Sequence, residues 1–272
     1  MSRLAHHLRI GGLYFQQALK SRMEYRADFF VECLAALLQQ ASGLLVLLFL
    51  FDNFHTLQDT TRADWSREEV LFIYGFSLIP MAFFDAVSMS FYQFSDRYIV
   101  NGELDRILMR PVSALFQLLL EGISFDFLAD LSLGVIVLAY AWEHTCPRLT
   151  PELALLLIAC VIGAWGVLLG IFLTLTSLSF WSEDRLSFLP PIYNLLNFAR
   201  YPLSIYRPIV RILLTFIVPF GFVAFYPSTA FLEHGTPYRA FSYCVPLVGA
   251  LMLAIGVTVW KRGLRRYSGA GS

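Results

Sequence analysis

The chain has 272 residues, 57% of them apolar and only 15% charged, with a mean hydropathy of +0.63. Soluble domains carry roughly 45–50% apolar and about 25% charged residues, so the excess apolar surface calls for lipid as its solvent. Twenty basic residues balance twenty acidic ones without any dense basic run, which excludes a nucleic-acid partner.

The first segment, 1–26, is polar and basic. Leu4, Leu8, Tyr14, Phe15, Ala18, Leu19 and Met23 recur at roughly helical spacing among His6, His7, Arg9, Gln16, Gln17 and Lys20. That pattern predicts an amphipathic helix in the inner membrane interface, with Gly11-Gly12 weakening it or marking a bend. The segment lacks the apolar stretch and small-residue cleavage site of a removable signal peptide. Six apolar runs follow, at 27–51, 70–94, 112–142, 153–181, 209–225 and 241–260. Each suffices for the ~20 residues that cross a hydrocarbon core, the fifth being near the lower limit of ~17. Backbone amides in lipid must be bonded within their own segment, and barrel strands would be about half as long, so the runs are read as helices. The expected fold class is an all-α membrane protein: six transmembrane helices over 27–261, then a tail at 262–272. No loop is long enough for a separate domain of roughly 50 residues.

Basic residues set the expected orientation. Arg3, Arg9, Lys20, Arg22 and Arg26 precede the first run. Arg97, Arg106 and Arg110 follow the second, Arg185, Arg200, Arg207 and Arg211 follow the fourth, and Lys261, Arg262, Arg265 and Arg266 form the tail. The alternate connections hold only Arg62, Arg67, Arg148 and Arg239. Sixteen against four places both termini in the cytoplasm. Of the cysteines, Cys33 and Cys160 lie in apolar runs, while Cys146 and Cys244 fall near one outer face, where spacing alone does not decide whether they pair.

Enzyme motifs are missing. Neither Lys20 nor Lys261 has the glycine context of a phosphate-binding loop, no H-E-x-x-H or G-x-S-x-G occurs, and the histidines are scattered through interfacial and loop segments. No cofactor, metal site or catalytic residue is expected. The acids inside the apolar runs stand out because charge is costly there. Asp28 and Glu32 are four apart in the first run, Asp85 lies midway along the second, and Glu121, Asp126 and Asp130 punctuate the third. They read either as a cation or proton path or as hydrogen-bonded groups on an inter-helix or inter-subunit face. With no basic residue in the same runs, any ionic partner must come from another segment or subunit.

The connection after the second run is the most informative stretch. Asn101-Gly102 is a turn signal, Glu103 and Asp105 suit the first turn of a helix, and Arg110-Pro111 closes it. Leu104, Ile107 and Leu108 form its expected apolar face, leaving Glu103, Asp105 and Arg106 as a charged face towards the cytoplasm.

The pattern Asn101-Gly-Glu-Leu-Asp-Arg-Ile-Leu-Met-Arg-Pro-Val112, with Leu115-Phe116-Gln117 after it, resembles the inner loop of bacterial type-2 ABC exporter permeases. It is most similar to their six-span, antibiotic-export or daunorubicin-resistance-like branch. A second block, Phe198-Ala-Arg-Tyr-Pro-Leu-Ser-Ile-Tyr206 and then Arg211 through Pro227, supports the resemblance. The resemblance implies a non-enzymatic permease subunit in the bacterial cytoplasmic (inner) membrane. It implies as partners two copies of a cytoplasmic ABC ATPase and a second permease, related or identical. Asn101, Gly102, Glu103, Leu104, Asp105, Arg106 and Arg110 are then the candidate coupling residues. The alternative class is a self-contained ion-coupled carrier using Asp85, Asp126 and Asp130, although such folds usually show internal repeats and none is visible. A membrane scaffold is a third.

Overall fold

The computed structural model describes residues 3–24, 26–53, 65–145, 148–182, 189–233 and 235–269; Cys146, Arg185, His55 and His234 lie outside them. All regular structure among these residues is helical: α1 (Arg3–Glu24), α2 (Arg26–Asn53), α3 (Arg67–Tyr92), α4 (Glu103–Leu108), α5 (Ala114–Glu121), α6 (Phe127–Thr145), α7 (Pro151–Ser177), α8 (Leu189–Leu196), α9 (Pro208–Ile212), α10 (Phe225–Ser228) and α11 (Arg239–Arg266). Five helices, α2, α3, α6, α7 and α11, are long and apolar enough to cross a membrane. The chain is therefore an all-α membrane protein.

Local chemistry fixes the helix starts. Ser66 and Glu69 form a reciprocal capping box on α3, with Ser66 Oγ accepting from the Glu69 amide at 3.1 Å and Glu69 Oε2 accepting from the Ser66 amide at 3.0 Å. Thr150 caps α7, and Pro151 opens it where a missing N–H costs nothing. α3 is the central helix, burying Phe72, Phe76 and Phe84 against α6 and α7. α2 is the opposite case. It exposes Phe30, Leu34, Leu38, Leu45 and Phe49, an apolar face suited to lipid or another subunit.

Small residues let α7 and α11 touch backbone to backbone. A Cβ on Gly249 would lie 2.2 Å from the Gly163 carbonyl oxygen, and one on Gly170 would lie 2.3 Å from the Met252 carbonyl carbon. In lipid, where apolar side chains gain nothing by leaving solvent, such close packing is what holds helices together. Pro246 belongs to the same seam. It removes the N–H that would bond the Ser242 carbonyl, and the Cys160 thiol of α7 donates to that carbonyl instead at 3.7 Å.

Two of the expected spans are built differently. The third run, expected as one helix over 112–142, is α5 followed by a break at 122–126 and then α6. The break docks on α3: the Ser124 amide donates to the Ala86 carbonyl at 3.0 Å, and Ser90 Oγ donates to the Leu118 carbonyl at 2.6 Å. Gly122 allows this, because a Cβ there would overlap Ser90. The fifth run, expected to cross at 209–225, instead forms two limbs, Pro208–Ile217 and Phe220–Ser228, bent by 77° around Pro219. Thr215 and Tyr226 hydrogen-bond across the limbs at 2.8 Å. Arg211 donates to the Leu203 and Ser204 carbonyls on the entry side, while Phe225 packs on Trp65 and Tyr238 on the exit side. Both ends of this hairpin thus lie at the Trp65 end of the bundle, where α3 and α11 begin.

The traverse between α7 and the hairpin is made by the irregular stretch 189–206. It runs back along α3: Tyr193 packs on Tyr92, the Arg200 guanidinium lies 6.0 Å from the Tyr74 ring centre, and Trp65 Nε1 donates to Ser204 Oγ at 2.7 Å. Arg207 and Arg211, expected beside the inner loop, accordingly sit at the opposite end, and Arg200 sits within the bundle. Ala199 and Leu203, within this traverse, are fully buried.

Candidate functional site

The connection between α3 and α5 is clamped at both ends. A π-helical turn, Phe94–Val100, extends α3, and Gly102 then adopts φ 71°, a left-handed conformation that favours glycine, to start α4. Leu104 and Ile107 are fully buried beneath α4. Leu108, expected on the same apolar face, is 43% exposed and Met109 is 80% exposed, because the six-residue helix turns them away from its buried side. Asp105 and Arg106 are exposed. Glu103 is held inward by Arg97 at 2.7 Å and Arg106 at 3.5 Å. It acts mainly as a brace to α3.

The far end of α4 is tied to α5 and α1. The Gln117 amide, 1% exposed, donates to the carbonyls of Ile107 at 3.3 Å and Val112 at 3.0 Å, taking up acceptors that a short helix leaves open. Arg110 pairs with Glu121 at 3.1 Å, and also donates to Gln117 Oε1 and to the Tyr14 hydroxyl of α1. Tyr98 donates to the other Glu121 oxygen at 3.2 Å. Burial first, and the Glu121 charge second, push the Tyr98 phenol up to about 12, so it stays a donor at physiological pH. The sequence assigned no role to Tyr14, Tyr98 or Gln117; only the position of Gln117 beside the loop motif marked it.

Directly behind this clamp lies a cavity of about 750 Å³ between α2, α3, the 122–126 break and α8. Glu32, Asp85, Glu121, Asp126 and Asp130 all line it, so three apolar runs deliver their acids to one space. Asp28, four residues before Glu32, is exposed and outside it. Glu121 is neutralised by Arg110, and Asp126 accepts from Ser124 Oγ. Asp130 is 8% exposed, and one of its carboxylate oxygens is buried with no hydrogen-bond partner. The Gln40 amide lies beside the carboxylate, and its Oε1 accepts from Arg200 at 2.8 Å. Arg200 is the basic group from another segment that the runs themselves lacked, but it reaches Asp130 only through a neutral amide. Asp130 also stands in the first turn of α6, where the helix dipole favours an acid by about 0.3–1 kcal/mol. That is small beside the several kcal/mol that burying an incompletely paired ion costs. Among the described residues no three Asp, Glu, His or Cys side chains converge closely enough to hold a metal ion.

A short helix is thus braced to the helices that wall a polar cavity inside an all-α membrane bundle. The family model for ABC-2 family transporter proteins matches residues 37–271, and the chain belongs to that family. It is the permease component of an ABC transporter, a class of membrane protein that works with an ABC ATPase. No curated protein and no solved structure matches it.

Proposed function

We propose that the chain is the permease subunit of an exporter in a bacterial cytoplasmic membrane, with the α4 end and both termini facing the cytoplasm. It hydrolyses no ATP itself. Two copies of a separate ATPase drive it, and a second permease, related or identical, completes the pathway. The observation that carries this reading is the bracing of α4. Its exposed side is free for a partner, while its ends are fixed to α3 through Arg97–Glu103 and to α5 through Gln117 and Arg110. Because α5 leads directly into the break that walls the cavity, displacement of α4 must change the cavity's shape. Orientation is supported by the basic residues even after Arg207 and Arg211 change ends. Among the described residues, Lys20, Arg26, Arg97, Arg106, Arg110, Lys261, Arg262, Arg265 and Arg266 gather towards α4, against Arg67, Arg148, Arg207, Arg211 and Arg239 at the Trp65 end.

The bracing also identifies the clean test. Replacing Glu103 would disturb the fold of the loop, whereas Asp105 and Met109 are exposed and take no part in the clamp's side-chain bonds. Met109 is the stronger anchor, since seating its side chain in an ATPase groove is worth about 1.5–3 kcal/mol, against roughly 0.2–1 for a rim charge. Asp105→Lys with Met109→Glu should therefore insert and fold normally but lose ATPase copurification by at least about tenfold. Full ATPase association and transport in that variant would reduce α4 to a connector.

A further inference from the structure

We propose, resting on the permease reading, that the cavity is the entry site for an organic cation, and that the Asp130 carboxylate receives the cationic group with Asp85 and Asp126 beside it. The first support is charge. Five carboxylates face the cavity, while the arginine on its wall, Arg97, is paired with Glu103 and turned towards α4. Arg110 consumes one acid, Glu121, and Arg200 stands behind the Gln40 amide. An anion entering this space would meet an excess of like charge.

The second support is the unpartnered Asp130 oxygen. A carboxylate more than nine-tenths buried normally has its lone pairs filled, and here Asp130 lines the cavity while one of its oxygens is shut away from it without a donor. A cation held in the cavity beside the carboxylate supplies the compensating charge that the protein does not. The third is shape and lining. The acids are spread around the cavity rather than converging, which suits a molecule larger than a metal ion. A space of about 750 Å³ lies within the ~300–1,000 Å³ of small-molecule sites. Tyr92 and Tyr193 add aromatic surface next to the acids, a lining that attracts delocalised or alkylated cations.

The test uses an isosteric pair of opposite charge, tetraphenylphosphonium and tetraphenylborate, on the full-length chain in lipid nanodiscs. Tritiated tetraphenylphosphonium should bind saturably, resist competition by tetraphenylborate, and bind about tenfold more weakly to Asp130→Asn and to Asp85→Asn, the loss expected for one charge-assisted contact. Asp28→Asn, which changes an acid outside the cavity, should bind like the unmodified chain. Monodispersity of each variant on size exclusion, with retained ATPase copurification, shows that folding is intact. Equal binding by both ions, equal binding by the Asn variants, or no saturable cation binding at all would overturn the proposal. Loss of the cation preference with a copurifying ATPase condemns this inference alone. Cation binding by a chain that associates with no ATPase condemns the permease reading instead.

Discussion

Gly170→Ala tests whether the α7–α11 seam is as tight as the backbone contacts make it. A new Cβ would lie 2.3 Å from the Met252 carbonyl carbon, 2.4 Å from its oxygen and 2.6 Å from the Leu253 nitrogen, whereas ordinary contact begins at 3.4 Å. All three neighbours are backbone, so no side chain can swing aside, and the helices must part locally by about 1 Å. A gap of that size forfeits a quarter to a half of the dispersion energy at each contact it opens. Overpacking of this kind typically costs about 1–3 kcal/mol, and alanine returns at most about 1 kcal/mol through helix propensity. With that return taken in full, the net expectation is a loss of up to about 2 kcal/mol, read as a lower midpoint of thermal unfolding in detergent by fluorescence-detected size exclusion. Gly249→Ala, aimed at the Gly163 carbonyl, should behave alike. Gly12→Ala is the control, since nothing lies within 4 Å of its Cβ. A Gly170→Ala protein as stable as the unmodified chain would show that the seam is loose and the close approach incidental.

Gln117→Leu removes the donor shared by Ile107 and Val112 and should cost about 1–3 kcal/mol for the stranded carbonyls. Because it loosens the lever without touching its exposed face, transport per ATP hydrolysed should fall more than ATPase copurification does; equal losses would argue against a coupling role. In a chain without its native cysteines, Arg207→Cys should react with a membrane-impermeant maleimide on intact cells, and Arg106→Cys only after permeabilisation. Protection of both until permeabilisation would return residue 207 to the cytoplasm and refute the re-entrant hairpin.

That last prediction falls where the sequence misleads, and the reason is physical. Hydropathy reports that a segment is surrounded by apolar groups, not that it crosses. Residues 209–225 read as one span because both limbs are apolar for different reasons: the second, from Phe220, is buried against α3, α7 and α11, while the first exposes Ile209, Ile212, Phe216 and Ile217, and Pro219 sits at the bend. The traverse at 189–206 contains Pro190, Pro191, Arg200 and Pro202, which give it the composition of a loop. Neighbouring helices supply what its backbone cannot. In the third run, Gly122, Ile123 and Phe125 carry the apolar average straight through a break whose hydrogen bonds go to α3. By contrast, α4 was legible, since Asn101-Gly102 announces its start and Pro111 its end. The acids were visible as costly residues, yet their meeting in one cavity was not. Asp28–Glu32 and Asp126–Asp130 share the same spacing, and only tertiary packing sends Asp28 outward and the other three to one cavity.

The central claim, that this permease is moved by a separate ATPase, is tested most directly by affinity purification of the tagged full-length chain from its native membrane, with native mass spectrometry and ATP hydrolysis measured on the product. The account predicts a complex of two permease chains with two copies of a polypeptide carrying a G-x-x-x-x-G-K-[ST] loop. Its hydrolysis should be sensitive to vanadate and absent from the separated permease. A chain that purifies without such a partner, and that alone carries substrate on a proton gradient lost in Asp126→Asn, would contradict it.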